Sequence, residues 1–247
     1  MSSPLIRSGL AMLVGSVMLV GSAMLACTSS VSMDSSLLHP RLADTVSELL
    51  NDNQDVDTAR VAELNDLAAW VGEELSAHGH VDLTFICTHN SRRSHLAQVW
   101  AQVAADVAGL EGVRTFSGGT EATACNPRTV AAMTRAGFVV VVADTLHGAT
   151  NPTYEVSAGP GLATMRCFSK TYGHEANPGE GFGAVMTCSS ADRGCPLVYG
   201  SAARFSTPYL DPKTSDGTAE EDSTYDARLR QIGAEMLYVM GRVADGQ

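Results

Sequence analysis

Residues 87 to 94, Cys-Thr-His-Asn-Ser-Arg-Arg-Ser, constrain this chain more than any other stretch, because they join two segments of different periodicity. Val81 to Ile86 is short, apolar and rich in β-branched and aromatic residues, the pattern of a buried strand. From His95 onward, Leu96, Val99, Val103 and Val107 recur at helical spacing. A loop of this length between a strand and a helix can turn its backbone N–H groups around a tetrahedral oxyanion, and the helix N-terminus adds its positive dipole. The candidate anion-binding positions are Thr88, His89, Asn90, Ser91, Arg92, Arg93 and Ser94. Arg93 can clamp two oxygens with its planar fork. The same field favours thiolate over thiol at Cys87, which makes it the candidate nucleophile, and Ser94 can donate a hydrogen bond to that sulfur. Outside this context a cysteine and an arginine at such spacing would be a buried thiol and a solvated cation.

The rest of the chain supplies an α/β frame for the loop. With 247 residues, 45% hydrophobic and 17% charged, it can bury one sizeable core. A formal charge of -11 without any Lys/Arg cluster argues against a nucleic-acid groove, so an anion site must be local. Leu42, Val46, Leu49 and Leu50, then Val61, Leu64, Leu67, Ala68, Val71 and Leu75, predict two helices ahead of the loop. Val113 to Phe116 reads as a second strand, and Pro127 to Arg135 as a helix capped by Asn126 and ended by Gly137. Phe138 to Ala143 reads as a buried third strand, and Phe182 to Thr187 as a fourth. Between them, 147 to 181 is rich in Gly and Pro and predicts a loop with a hairpin of Thr153 to Val156 against Thr164 to Phe168. Arg204 to Tyr209 is strand-like, and Ala219 to Val243 supplies a closing helix. Strands alternating with helices predict a doubly wound, mostly parallel four-stranded sheet flanked by helices, with ligands at the carboxyl ends of its strands.

The first 33 residues hold no acid, one arginine (Arg7) and an apolar run from Leu10 to Leu25. That is the anatomy of a signal segment, and the run is shorter than the ~20 residues a membrane span needs. Three readings stay open. Leu25-Ala26-Cys27 resembles a bacterial lipobox, which would make Cys27 a lipid-anchored N-terminus; cleavage after Ala26 would release an exported protein; and translation from Met33 would leave a cytoplasmic one. Residues 34–80 then form a helical extension and 81–247 the catalytic domain, with 147–181 inserted. No CxxC pair or His-rich spacing suggests a metal, and no cofactor is expected.

Phe85 to Ser94, followed by Leu96-Ala97-Gln98, resembles the signature loop of low-molecular-weight tyrosine phosphatases and thioredoxin-coupled arsenate reductases. Phe116-Ser117-Gly118-Gly119-Thr120-Glu121 resembles the second strand and turn of that family, and Asn126 to Val130 its next helix start. The likeness runs over about residues 81 to 243. His89 stands where these families usually carry Gly, and Arg92 where they usually carry Cys; Arg92 is expected to point outward. The resemblance implies that Asp211, in Asp211-Pro212, is the acid that protonates the leaving oxygen. Lys213 follows, where the phosphatases usually place an aromatic residue.

Val185 to Cys188 and Ala191 to Pro196 resemble the reductases' redox segment, which implies a relay from Cys87 to Cys188 to Cys195, recharged by a thioredoxin-like thiol reductant. Were this segment helical, seven residues at 1.5 Å each would hold the two Cα atoms about 10 Å apart, beyond disulfide reach, so oxidation would have to melt it. A static disulfide or two buried thiols is the bland alternative. Cys125 and Cys167 have no matching role and are expected to pack. The expected function is arsenate reduction through a Cys87 adduct. Hydrolysis of phosphotyrosine or another phosphomonoester, and oxyanion binding without turnover, are the alternatives.

Overall fold

The computed structural model describes residues 33–51 and 58–246, so the leader and Cys27 lie outside the described residues. In chain order the elements are α1 (Pro40–Asn51), α2 (Thr58–His78), β1 (Val81–Cys87), α3 (Arg93–Val107), β2 (Val113–Gly119), α4 (Pro127–Ala136) and β3 (Val139–Asp144). They continue with β4 (Thr153–Ser157), β5 (Met165–Cys167), β6 (Phe182–Met186), α5 (Ser189–Gly194), β7 (Ser201–Ser206) and α6 (Glu221–Asp245).

Four strands form one parallel sheet in the order β2-β1-β6-β7. The chain leaves β1 to one side and later returns to its other side at β6. The carboxyl ends of β1 and β6 therefore flank the switch point where open α/β sheets hold ligands. Cys87 is the last residue of β1. β6 is buried along its whole length, as its apolar run requires of a strand covered on both faces. Helices α2 and α3 pack over the sheet, α6 packs against those helices, and Trp100 and Phe138 meet edge to face in the core, ring centroids 5.5 Å apart. The helical spacing of the extension is used for burial, since Leu42, Val46, Leu64, Leu67 and Val71 are all inaccessible. At the amino end of the described chain, Asp34 N donates to Val107 O, which fixes its entry point beside the last turn of α3.

The structure corrects two strand assignments. The valine run after Gly137 is not a buried member of the parallel sheet. It is β3, the edge of a separate antiparallel sheet ordered β3-β4-β5, and Val139, Val141 and Val142 are 49%, 52% and 59% exposed. The short turn between Asp144 and Thr153 makes β4 the antiparallel partner of β3, because a parallel one would need a crossover of a dozen or more residues. The fourth parallel strand is instead β7, which starts three residues before the strand-like run at Arg204. The hairpin of β4 and β5 forms as its sequence predicts. So does α4, where the Asn126 side chain accepts from Arg128 N, and Gly137 closes the helix at φ 107°, a left-handed value that suits glycine.

The free edge of β2 is closed by side chains. Gln102 Nε2 donates to Val113 O at 3.3 Å, Gln98 Nε2 to Thr115 O at 3.3 Å and Asn177 Nδ2 to Ser117 O at 3.1 Å. At Gly119 the backbone takes over, with Gly119 N donating to Lys170 O and Tyr172 N to Gly119 O, both at 2.9 Å. Amide capping satisfies carbonyls that would otherwise offer a template for another strand.

Candidate active site

Cys87 lies at the bottom of a loop whose shape is set by Asn90. This residue has φ 43°, the one positive φ outside glycine among the described residues, and asparagine tolerates that region better than most side chains. Its amide does two jobs. Asn90 Nδ2 donates to Ser94 Oγ at 2.9 Å, and Asn90 Oδ1 accepts from Lys170 N at 3.0 Å. Ser94 Oγ in turn lies 3.1 Å from Cys87 Sγ, so the hydroxyl that faces the sulfur is itself oriented. Cys87 is 3% exposed and Ser94 fully buried. His89 has no positive φ, although it stands where the families that the loop resembles usually carry Gly. Its carbonyl accepts from Ser169 Oγ and Thr123 Oγ1, and its ring Nε2 lies 2.9 Å from Glu121 Oε1 on the rim.

Gly119 shows why the second strand must end in glycine. A Cβ there would meet Glu121 O and would lie 2.8 Å from both Asn90 N and Thr88 O, all backbone atoms. The turn after β2 is hydrogen-bonded to the loop through Thr120 N to Cys87 O and Glu121 N to Thr88 O. Asn126 N and Thr129 Oγ1 both donate to Ser91 O, tying the start of α4 to the loop's far side.

Arg93 begins α3, as its place after the loop requires. Its Nη1 donates to Tyr209 O at 3.0 Å and its Nη2 to Asp211 Oδ2 at 2.5 Å. The Asp-Pro turn is therefore brought onto the guanidinium. The Asp211 side chain also caps its own turn by accepting from Lys213 N. Arg92 differs from the outward cation expected of it. Its side chain is 11% exposed, its Nε donates to Tyr225 Oη at 2.7 Å and its Nη2 to Asp216 Oδ2 at 3.1 Å. Tyr225 Oη donates on to Asp216 Oδ1 at 2.7 Å, and burial above all pushes this phenol up to about 12. Arg92 thus braces the Asp-Pro turn against α6.

Cys188 is brought to the loop and Cys195 is not. Cys188 is 1% exposed, its Sγ lies 3.4 Å from Thr88 Oγ1, and it caps α5 by accepting from Ala191 N at 3.3 Å. Cys195 is the residue after α5, half-buried, with its thiol donating to Leu197 O. The helix that the spacing argument feared is present, so the two cysteines cap its opposite ends. Cys125 and Cys167 are buried in the main core; desolvation pushes the Cys167 thiol up to about 12 and the Cys125 thiol higher than usual. Among the described residues no group of three or more His, Cys, Asp or Glu is placed to hold a metal.

Several residues of the site carry no local signal in the sequence. Tyr209 supplies its carbonyl to Arg93 and its hydroxyl to Glu235 Oε2 at 2.7 Å, and Glu235 is held by Arg60 of the helical extension. Asp216, Tyr225 and Lys170 likewise act from more than 70 positions away from the loop, and only the fold joins them to it.

Fold and loop together define an α/β protein with a thiol seated in a tight strand-to-helix turn at the switch point of a parallel sheet. The family model "Low molecular weight phosphotyrosine protein phosphatase" matches residues 82–147, from β1 through β3, which is the family that the loop residues resemble. No curated protein shows significant sequence similarity to the chain. Among solved structures, the chain is similar to a low molecular weight protein tyrosine phosphatase from T. tengcongensis, with 13% identity, TM-score 0.41, 63% of this chain and 95% of the other covered. A low molecular weight phosphotyrosine phosphatase from Vibrio cholerae O395 shows 10% identity, TM-score 0.41 and coverage of 64% and 93%. A thioredoxin-dependent arsenate reductase from Corynebacterium glutamicum shows 16% identity, TM-score 0.34 and coverage of 80% and 85%.

Proposed function

We propose that this chain reduces arsenate through a Cys87 adduct. The observation that carries this reading is the second thiol at the loop, Cys188, buried 3.4 Å from Thr88 and linked by a six-residue helix to a third, Cys195. Hydrolysis needs neither. In the reaction proposed, the Cys87 thiolate attacks arsenic and a protonated oxygen leaves as water, while Arg93 and the loop amides hold the remaining oxygens. The Cys188 thiolate then attacks the Cys87 sulfur. A Cys87–Cys188 disulfide forms, the sulfur–arsenic bond breaks, and its electron pair departs with arsenic as arsenite. Cys195 attacks Cys188, frees Cys87, and leaves a Cys188–Cys195 disulfide for an external dithiol of the thioredoxin type to reduce.

α5 must open for that last exchange. A helix places residues seven apart about 10 Å from one another, outside the reach of a disulfide. Six residues make a marginal helix, and α5 ends in Gly194 with most of its surface exposed, so opening is inexpensive.

A second reading rests on Asp211. Its carboxyl group meets Arg93 beside the loop, where the leaving oxygen of a phosphomonoester would need its proton. That reading makes the chain a phosphatase, with water regenerating Cys87.

Peptide mapping after exposure to arsenate and a thioredoxin system separates the two. The reductase reading expects Cys188→Ser to stall at the adduct, and Cys195→Ser to stop after one turnover with Cys87 and Cys188 bridged. If both variants cycle arsenate like the parent, the relay is excluded; if the parent cleaves aryl phosphates and leaves arsenate untouched, reduction is excluded and hydrolysis takes its place.

A further inference from the structure

We propose that the cleft between β2 and the β5 region is a second binding site, selective for a small planar carboxylate. It is a cavity of about 370 Å3, and its lining includes Phe116, Phe168, Lys170, Gln98, Thr115 and Asn177. The catalytic loop contributes nothing to this lining.

Lys170 is the reason to expect an anion there. It is 4% exposed, and its ammonium faces the Phe168 ring at 4.6 Å without a hydrogen bond or ion pair among the described residues. Phe168 itself is stacked on His147 at 3.9 Å, so the ring under the ammonium is held in place. A buried cation without a counter-charge loses the solvation it had in the unfolded chain, and a ring face replaces only part of it. Desolvation accordingly pulls the amine down to about 8, which still leaves it mostly charged near neutral pH. Arg114 and Arg166 add positive potential at the rim, although each already pairs with an aspartate, Asp82 and Asp144. No acidic side chain lines the cleft.

Two amides brace the wall of the cleft. Gln98 Oε1 and Asn177 Oδ1 are buried in the wall without partners. Their orientation is set by the opposite ends of the same amides. Asn177 Nδ2 donates to Ser117 O, Thr171 O and Tyr172 O, and Gln98 Nε2 to Thr115 O, so turning either amide would set oxygen against oxygen. Neither oxygen is open to the cleft, so an occupant is held by its carboxylate on Lys170. Phe116, Phe168, Val113 and Met165 offer it apolar surface beside that amine, which favours a planar hydrocarbon body.

The experiment is a calorimetric titration of the full chain with 4-aminobenzoate as the probe. Saturable one-to-one binding is expected in the parent, unchanged in Arg93→Ala and weakened at least tenfold in Lys170→Met. A second measurement stands if the lysine variant fails to fold: by NMR of labelled lysine in the parent, the Lys170 titration should move upward on adding the probe. Absence of saturable binding, loss of binding in Arg93→Ala with Lys170→Met unaffected, or an unmoved Lys170 titration under bound probe would each overturn the site.

Discussion

Arg93 Nη2 donates to Asp211 Oδ2 at 2.5 Å, which joins the first residue of α3 to a turn 118 positions later. On the acid role given to Asp211, Asp211→Asn should slow release of a poor leaving group by about 100-fold or more, the usual contribution of a positioned acid. Loss on p-nitrophenyl phosphate should stay within about tenfold, because that leaving group needs little protonation. Equal losses on phenyl and p-nitrophenyl phosphate would assign Asp211 to holding Arg93 in place.

Arg92 should matter through the turn it braces. Arg92→Leu removes two charge-assisted hydrogen bonds, to Tyr225 and Asp216, and should lower kcat about tenfold with a smaller change in KM. Arg92→Lys should recover little of this, since a point charge cannot span both partners. Steady-state kinetics beside a urea midpoint decides it: a variant with parental kcat shows that the turn holds itself.

His95 predicts a pH dependence of stability with a definite sign. Its ring is fully buried on α3 with Nδ1 3.1 Å from Ser117 Oγ, and burial, reinforced by the Lys170 charge, pulls it down to about 3. The unfolded chain takes up that proton near pH 6.5 and the folded one does not. Stability from this residue is complete above pH 6.5 and is lost as pH falls toward 3, at roughly 1.4 kcal/mol per unit. Urea unfolding of His95→Asn between pH 7 and 4 should show a shallower decline than the parent; parallel curves would mean that the ring is protonated inside the fold.

Gly119→Ala should damage the site more than its size suggests. The atoms its methyl group meets are backbone of the loop and the following turn, so they can yield only by moving the anion cradle. A loss of about 2–4 kcal/mol in stability is expected, with weaker oxyanion binding. Parental phosphate affinity in a stably folded variant would show that the cradle tolerates the shift.

What the sequence made legible was local. The catalytic loop, the Asn126 cap, the Gly137 stop and the β4–β5 hairpin each depend on neighbours within a few positions, where periodicity and turn chemistry speak directly. Val139 to Val142 misled for a physical reason. An apolar β-branched run marks a strand without saying which sheet takes it, and here it pairs with β4 across the short turn after Asp144. Arg92 misled differently, since whether a guanidinium meets solvent or Asp216 depends on a loop more than 120 residues away. Lys170 and Asn177 were invisible because an unpaired buried amine is a property of the packed cleft and has no pattern along the chain.

The entry of the chain at Asp34 beside Val107 has a consequence for presentation. α3 runs from Arg93 to Val107, 15 residues that at 1.5 Å each span about 22 Å. The described chain thus begins at one pole of the molecule and Cys87 sits at the other. Any tether acting through the leader would hold the protein by its back, with the thiol turned toward the open medium and toward whatever arrives from it.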